Sequence, residues 1–457
     1  MATRKPLRKI KVGTFSRGFA LAKVSVRAGA KAATHAIGNI FVNESEKPER
    51  LKELLVSQMG LLSKELGQLK GSLMKVGQVL SIVGEHFLPP EANILLKSLQ
   101  NQSPPLEWKA IHKAIRAQLT LEQLEQLEIE IHPLASASLG QVHRARHKAT
   151  GQWLAMKIQY PGVDAAIEGD LKALRSILSL AQLIPNGPQY EELIKEVRFM
   201  LHQEVNYSRE LELTEFFKLK LAEDPRFIVP QTFPQFSTRR ILTTSLEDGV
   251  AVDGPEIRSL SVKRRSDIGR AVFELYLREI FELGAVQTDP HFGNYRVRIG
   301  SGGAGSDQLI LLDFGAVREL SESFLKSYRE MVKGVFSRNS EQLIAGALGL
   351  GFLKIEDTTA LRDQFIELCF LFGEPFYPPE TPHVASHLFD KDGCYLWDQS
   401  DLPKRVARKG TQLAFAFRLR PPPREIVFLD RKLSGIFTFL SVLKVRFRGH
   451  ELVQPYI

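Results

Sequence analysis

The chain has 457 residues, 44% of them hydrophobic and 25% charged, which is enough apolar material for more than one core and too much for a disordered polypeptide. Its two cysteines, Cys369 and Cys394, exclude a disulfide framework or a cysteine-rich zinc module and point to a reducing compartment. The net charge of +9 resides in residues 1–43, where nine Lys and Arg meet no acidic residue; the remaining 52 basic residues balance the 52 acidic ones.

In the basic segment 1–43, Phe15, Phe19, Leu21, Val24 and Val26 alternate with the charges, a pattern expected of a segment lying on a membrane surface. A transit peptide and a nucleic-acid arm share that composition, but no nucleic-acid-binding signature follows, so no nucleic-acid partner is expected. No apolar signal-peptide core follows the charges. The longest uncharged stretch, residues 176–190, is shorter than the roughly 18–20 residues of a bilayer span and is broken at Pro185-Asn186-Gly187-Pro188. Residues 44–130 read as a helical extension, with breaks at Pro89-Pro90 and Ser103-Pro104-Pro105. Within it stands Lys75-Val76-Gly77-Gln78, which places Lys75 and Gln78 three apart on one helix face.

Residues 131–246 open with a loop of small residues, Ala135, Ser136, Ala137 and Ser138, followed by Gln141, and continue into Trp153-Leu154-Ala155-Met156-Lys157-Ile158. The order matches a phosphate-covering loop followed by a strand with the V-A-I-K lysine, here Lys157. Ala and Ser in place of Gly narrow the conformations open to such a loop and should alter nucleotide preference. Apolar residues at helical spacing from Glu191 to about Ala222 predict one long helix, on which Glu204 and Glu210 lie roughly 120° apart and face two partners. A strand at 240–244 then leads to Glu247-Asp248-Gly249, read as a hinge contacting the nucleotide.

Residues 247–457 carry the chemistry. In Gln287-Thr288-Asp289-Pro290-His291-Phe292-Gly293-Asn294, Asp289 and Asn294 are spaced as in the kinase pattern H-R-D-L-x-x-x-N, and Leu311-Leu312-Asp313-Phe314-Gly315 follows as a D-F-G. Mg²⁺ bridging nucleotide phosphates needs hard oxygen ligands, which Asp313 and the Asn294 amide supply; an unliganded carboxylate, Asp289, orients or deprotonates the attacking hydroxyl or water. Residues 300–306 read as a hairpin tip between the two segments, and 435–443 as a buried helix of the same lobe.

Taken in this order, the residues resemble the UbiB/AarF-type atypical kinases, which include ATPases required for coenzyme Q biosynthesis. The likeness runs from about Glu53 to the C-terminus. Its most specific mark is Lys75-Val76-Gly77-Gln78, similar to that family's K-x-G-Q motif. The resemblance implies an α+β protein-kinase-like two-lobe fold with an N-terminal helical extension. It assigns catalysis to Asp289, Lys157 and Glu210, with Glu210 as the helix partner of Lys157. It implies that Asn294 and Asp313 ligate the metal, and that Ala135, Ser136, Ala137, Ser138, Gln141, Lys157 and Glu247 bind nucleotide. Lys75, Gln78 and Glu204 become regulatory, with Lys75 meeting Glu204 so that the extension lies over the cleft and blocks a protein substrate. Three departures stand out: Asn206 replaces the Asp of the family's E-x-D, Ser136 interrupts the alanine run, and Gln287 stands where many kinases have His. The Gln-Thr-Asp form and the tail from Phe428 to Gly435 resemble the coenzyme Q ATPase branch.

The implied function is an atypical kinase or ATPase using ATP and Mg²⁺ in support of isoprenoid-quinone synthesis. Its partners would be a lipid or quinone-pathway component, quinone-biosynthesis proteins and a membrane surface. The alternative is a nucleotide-binding scaffold, a pseudokinase-like regulator of lipid-handling proteins with little turnover; retention of Asp289 favours chemistry. The expected location is cytoplasmic, peripheral to the inner membrane, in a bacterium, and the mitochondrial inner membrane or matrix in a eukaryote.

Overall fold

The computed structural model describes residues 72–83, 96, 105–180, 188–303, 305–382, 384–416 and 423–456. The basic segment 1–43 and the proline breaks at Pro89-Pro90, Ser103-Pro104 and Pro185 lie outside these residues. The chain divides into two compact units, one running to Leu211 and including Thr232–Leu246, the other made of Glu212–Gln231 and Glu247–Ile457.

The first unit contains α1 (Ser72–Val83), α2 (Trp108–Arg116) and α3 (Leu121–Glu125), then β1 (Leu127–Ser136), β2 (Gly140–His147) and β3 (Trp153–Gln159). Helices α4 (Val163–Leu180), α5 (Pro188–Glu204) and α6 (Tyr207–Lys220) follow; α6 belongs to this unit only as far as Leu211. With β5 (Ile241–Ser245), the strands form an antiparallel sheet in the order β1-β2-β3-β5. Period-two alternation puts Leu154, Met156 and Ile158 in the core and Lys157 on the opposite face of β3, paired in register with Val142 and Leu242. Helix α1 buries Val76, Val79 and Leu80 and packs against α4 and α5.

Two expectations need correction here. The strand region begins at Leu127, inside the stretch read as helical to 130, because Leu127, Ile129 and Ile131 alternate with Glu128 and Glu130 at the period of a strand. The long helix expected from Glu191 to Ala222 is two helices, α5 and α6, so Glu204 and Glu210 do not share an axis. The chain breaks at Val205-Asn206. The Asn206 carbonyl accepts the first intrahelical bond of α6 from Glu210 N at 3.3 Å, which makes Asn206 the capping position. Asn and Asp are both common at that position of a helix.

The second unit holds β4 (Phe227–Ile228), β6 (Val250–Ala251), α7 (Pro255–Arg258), α8 (Val262–Phe281), β7 (Ala285–Gln287), β8 (Tyr295–Arg298), β9 (Gln308–Leu311) and β10 (Val317–Glu319). It ends in α9 (Glu322–Phe336), α10 (Ser340–Gly349), α11 (Thr359–Gly373), α12 (Leu402–Ala416), α13 (Arg424–Leu443) and α14 (Gly449–Val453). Strands β8 and β9 form an antiparallel hairpin around 300–306, and β7 pairs with β10. The core gathers around α8 and α13, whose Ile436, Phe437, Phe439, Leu440 and Leu443 are buried, as expected for 435–443. Among the described residues no helix is long and apolar enough to cross a membrane.

Candidate nucleotide and catalytic site

In the first unit, the Lys157 ammonium donates to both oxygens of the Glu210 carboxylate, at 2.7 and 2.9 Å. The Glu210 side chain is 4% exposed, so this is a partly dry pair, and the Tyr207 ring lies 5.0 Å from Nζ and adds a cation–π contact. Glu210 sits in the first turn of α6, where the helix dipole favours an anion. The small-residue segment forms the tip of the β1–β2 hairpin. Ala135, Ser136 and Ala137 are exposed, Ser138 is half-buried, and Ala137 N donates to Gly140 O at 2.8 Å. Gly140 is required there, since a Cβ would fall 2.4 Å from the Ile158 carbonyl. Ser136, the departure from an all-alanine run, places its hydroxyl against Tyr160, whose pKa burial pushes up to about 12.

Gln141 departs from its expected nucleotide-binding role. It is 1% exposed; its Oε1 accepts from Leu106 N at 3.0 Å and its Nε2 lies 2.8 Å from His143 Nε2. His143 in turn donates from Nδ1 to the Glu130 carbonyl at 2.8 Å, and burial lowers its pKa, which keeps the ring neutral. Both ends of the Gln141 amide are therefore engaged by buried partners within the first unit.

Two of the residues expected to be regulatory meet within the same unit: Lys75 Nζ of α1 lies 2.7 Å from Glu204 Oε1 at the end of α5, with the side chains 12% and 22% exposed. Gln78 is half-buried on the same helix, and its carbonyl accepts from Ser81 Oγ. Breaking such a pair should cost between the ~0–1 kcal/mol of an exposed bridge and the ~3–5 kcal/mol of a buried one. Lys75→Ala is expected to release protection of the amides in α1 in hydrogen exchange while α8 and α13 stay protected. Exchange identical to the parent would make Lys75 a surface lysine with no latch function.

In the second unit, the loop after β7 is tied to the D-F-G backbone by one side chain. Gln287 Oε1 accepts from Asp289 N at 2.9 Å, and its Nε2 donates to the Asp313 carbonyl at 3.3 Å. A primary amide donates and accepts at once, which explains how Gln serves where kinases have His. Thr288 Oγ1 donates to Ala316 O at 2.8 Å, and Leu312 N to Asn294 O at 3.0 Å, so Asp289, Asn294 and Asp313 are joined by hydrogen bonds on three sides. Asn294 Nδ2 donates to the Asp289 backbone carbonyl at 3.1 Å and to Oδ2 at 3.2 Å, which turns the amide oxygen into the atom available for a cation. Asp313 Oδ1 accepts from Gly315 N at 2.8 Å, and Phe314 is buried with its ring centroid 4.7 Å from that of Phe217. His291 caps the short turn that follows, its Nδ1 accepting from Gly293 N at 2.9 Å. The Glu247 carboxylate, expected at the nucleotide, is held by Arg298 at 2.7 Å.

A set of contacts from α13 has no counterpart in the sequence motifs. Arg431 Nη2 donates to Asp289 Oδ1 at 3.1 Å. Lys432, 2% exposed, donates to Tyr295 Oη at 2.9 Å and lies 3.5 Å from Glu279 Oε2. A Cβ on Gly435 would fall 2.2 Å from Pro290 Cβ, so only glycine lets the helix lie this close to the loop. Burial pushes the Glu279 carboxyl up to about 7, against the pull of the Lys432 ammonium.

The donor set suits Mg²⁺ held together with phosphates, which asks of the protein only one or two oxygen ligands such as Asp313 and Asn294. Among the described residues no three His, Cys, Asp or Glu side chains gather into an all-protein metal cage.

Residues 98–346 match the ABC1 atypical kinase-like domain. The chain belongs to this family of UbiB/AarF-type atypical kinases. It is 31% identical over 383 residues to the protein named Atypical kinase COQ8B, mitochondrial, of Danio rerio, covering 84% of this chain but 58% of that protein. It is 28% identical over 425 residues to Atypical kinase COQ8, mitochondrial, of Saccharomyces cerevisiae, covering 92% of this chain and 80% of the yeast protein. A solved structure of Rv3197 from Mycobacterium tuberculosis in complex with erythromycin shares the fold, with a TM-score of 0.59 and 24% identity over 90% of this chain and 98% of that one. The α+β, protein-kinase-like fold is thus that of the ABC1 family.

Proposed function

We propose that this ABC1-family chain is an ATPase or atypical kinase that binds Mg-ATP and supports ubiquinone biosynthesis at a membrane surface. The observation that carries the chemistry is the hydrogen-bonded set in the second unit, in which Gln287 links Asp289 to Asp313 and Asn294 fixes the Asp289 carboxylate. The lysine–glutamate pair of the first unit supports it.

In this reading Asp313 and Asn294 would hold Mg²⁺, and the chemistry the ion would supply is positive charge beside the phosphates. Lys157, fixed by Glu210, offers a cation to the phosphates, and the exposed Ala135, Ser136 and Ala137 flank them. Asp289 orients the attacking hydroxyl or water and accepts its proton. Lys75 and Glu204 latch α1 against α5 as a regulatory contact. The quinone role rests on the names of the COQ8 relatives. A deletion strain should accumulate early quinone-pathway lipids, and the parent gene but not Asp289→Asn should restore the profile. Equal restoration by both would leave the scaffold reading in its place. Residues 1–43 supply the membrane contact by charge: truncation should weaken co-sedimentation with anionic vesicles, and unchanged binding would reject the anchor.

A further inference from the structure

The kinase pattern places an Arg immediately before the catalytic Asp, whereas here Thr288 occupies that place and spends its hydroxyl on the Ala316 carbonyl. A cation nonetheless reaches Asp289, from 142 residues downstream: Arg431 on α13 donates to Oδ1 while Asn294 donates to Oδ2. Each carboxylate oxygen therefore has a donor, and rotation about the Asp289 side chain is opposed from both sides. The helix that carries Arg431 is itself held against the loop. One turn on, Gly435 touches Pro290, the residue after Asp289, at a distance no other side chain permits, and Lys432 is anchored in the core by Tyr295. The Arg431 side chain is 30% exposed, so a surface bridge made for stability alone would contribute little; its value lies in where it points.

We propose that Arg431 is a positioning residue for the reaction: together with Asn294 it fixes the Asp289 carboxylate in the orientation that receives the nucleophile's proton, which makes α13 part of the catalytic unit. The inference rests on the reading of Asp289 as the catalytic acid–base group. Loss of the grip leaves the nucleotide contacts in place but frees the base to rotate, and misplacement of a reacting group by about 1 Å costs on the order of 100-fold in rate.

The test measures phosphate release from Mg-ATP by the full chain as parent, Arg431→Ala and Arg431→Lys, with melting temperatures and hydrogen exchange for each. Arg431→Ala should lower kcat about 30- to 100-fold with KM for ATP changed less than about threefold, and added guanidinium ion should restore a part of the loss. Arg431→Lys should retain more activity than the alanine variant, and the amides of 289–294 should exchange faster in Arg431→Ala while those of α8 do not. A raised KM with unchanged kcat would make Arg431 a phosphate-binding cation and overturn the proposal. So would rates falling only in proportion to lost folded protein, without guanidinium rescue. If the parent releases no phosphate, the proposed function fails by itself, and exchange in 289–294 then decides the grip: protection unaffected by Arg431→Ala overturns it.

Discussion

Asp289→Asn is expected to leave Mg-dependent nucleotide binding within about threefold of the parent and to lower phosphate release by roughly 10²–10⁴-fold, the range contributed by a positioned general base. The substitution keeps the shape of the side chain and one of the two acceptor oxygens that Arg431 and Asn294 share out, sets an amide NH₂ against the other donor, and removes the carboxylate that takes up a proton. Asp313→Asn should behave differently, because the carboxylate proposed to carry the metal is lost while the bond from Gly315 N can persist. Its nucleotide affinity should fall together with its rate. Equal loss of affinity in the two variants would show that the roles of Asp289 and Asp313 have been divided wrongly.

The second large effect is on stability. Lys432 and Glu279 are both 2% exposed and 3.5 Å apart, with the Lys432 ammonium also bonded to Tyr295. Removing the Lys432 ammonium leaves the Glu279 carboxyl buried without its partner and forces it to take up a proton near pH 7.5, so Lys432→Met should destabilise the second unit by up to ~3–5 kcal/mol. Replacing both, as Glu279→Leu with Lys432→Met, should recover most of the loss, since apolar side chains of similar volume need no partner. The pH dependence has a definite sign. A carboxyl raised in the folded state from 4.5 to about 7 contributes stability that is fully present below pH 4.5 and lost as pH rises to about 7. The difference in unfolding free energy between the parent and Glu279→Gln should therefore fall across that window and level off above it. A flat difference from pH 4.5 to 7.5, measured by denaturant unfolding, would mean that Glu279 stays ionised throughout.

Much of this site was legible because its parts are local. The alternation in 153–158 places Lys157 on the face opposite Leu154, Met156 and Ile158, and the five-residue spacing of Asp289 and Asn294 is a property of one turn. The break between α5 and α6 was not legible, since Met200, Leu201, Val205 and Tyr207 continue the apolar spacing across it and the interruption rests on one capping residue. Gln141 reads as a nucleotide ligand because its place in the loop matches a motif, whereas its contacts are with Leu106 and with His143 of the same strand. Arg431 and Lys432 read as an ordinary basic pair on an apolar helix. Their partners, Asp289 and Tyr295, are 142 and 137 residues away, and nothing in the spacing of either segment announces the contact.

Binding of a metal-bound nucleotide by Asp313 and Asn294 is measured by calorimetric titration of the purified chain with ATP, with and without Mg²⁺, alongside Asp313→Asn. Saturable binding to the parent that depends on Mg²⁺ and is lost in Asp313→Asn is the expected result. Binding of equal strength in the absence of Mg²⁺, or undiminished in Asp313→Asn, would contradict it.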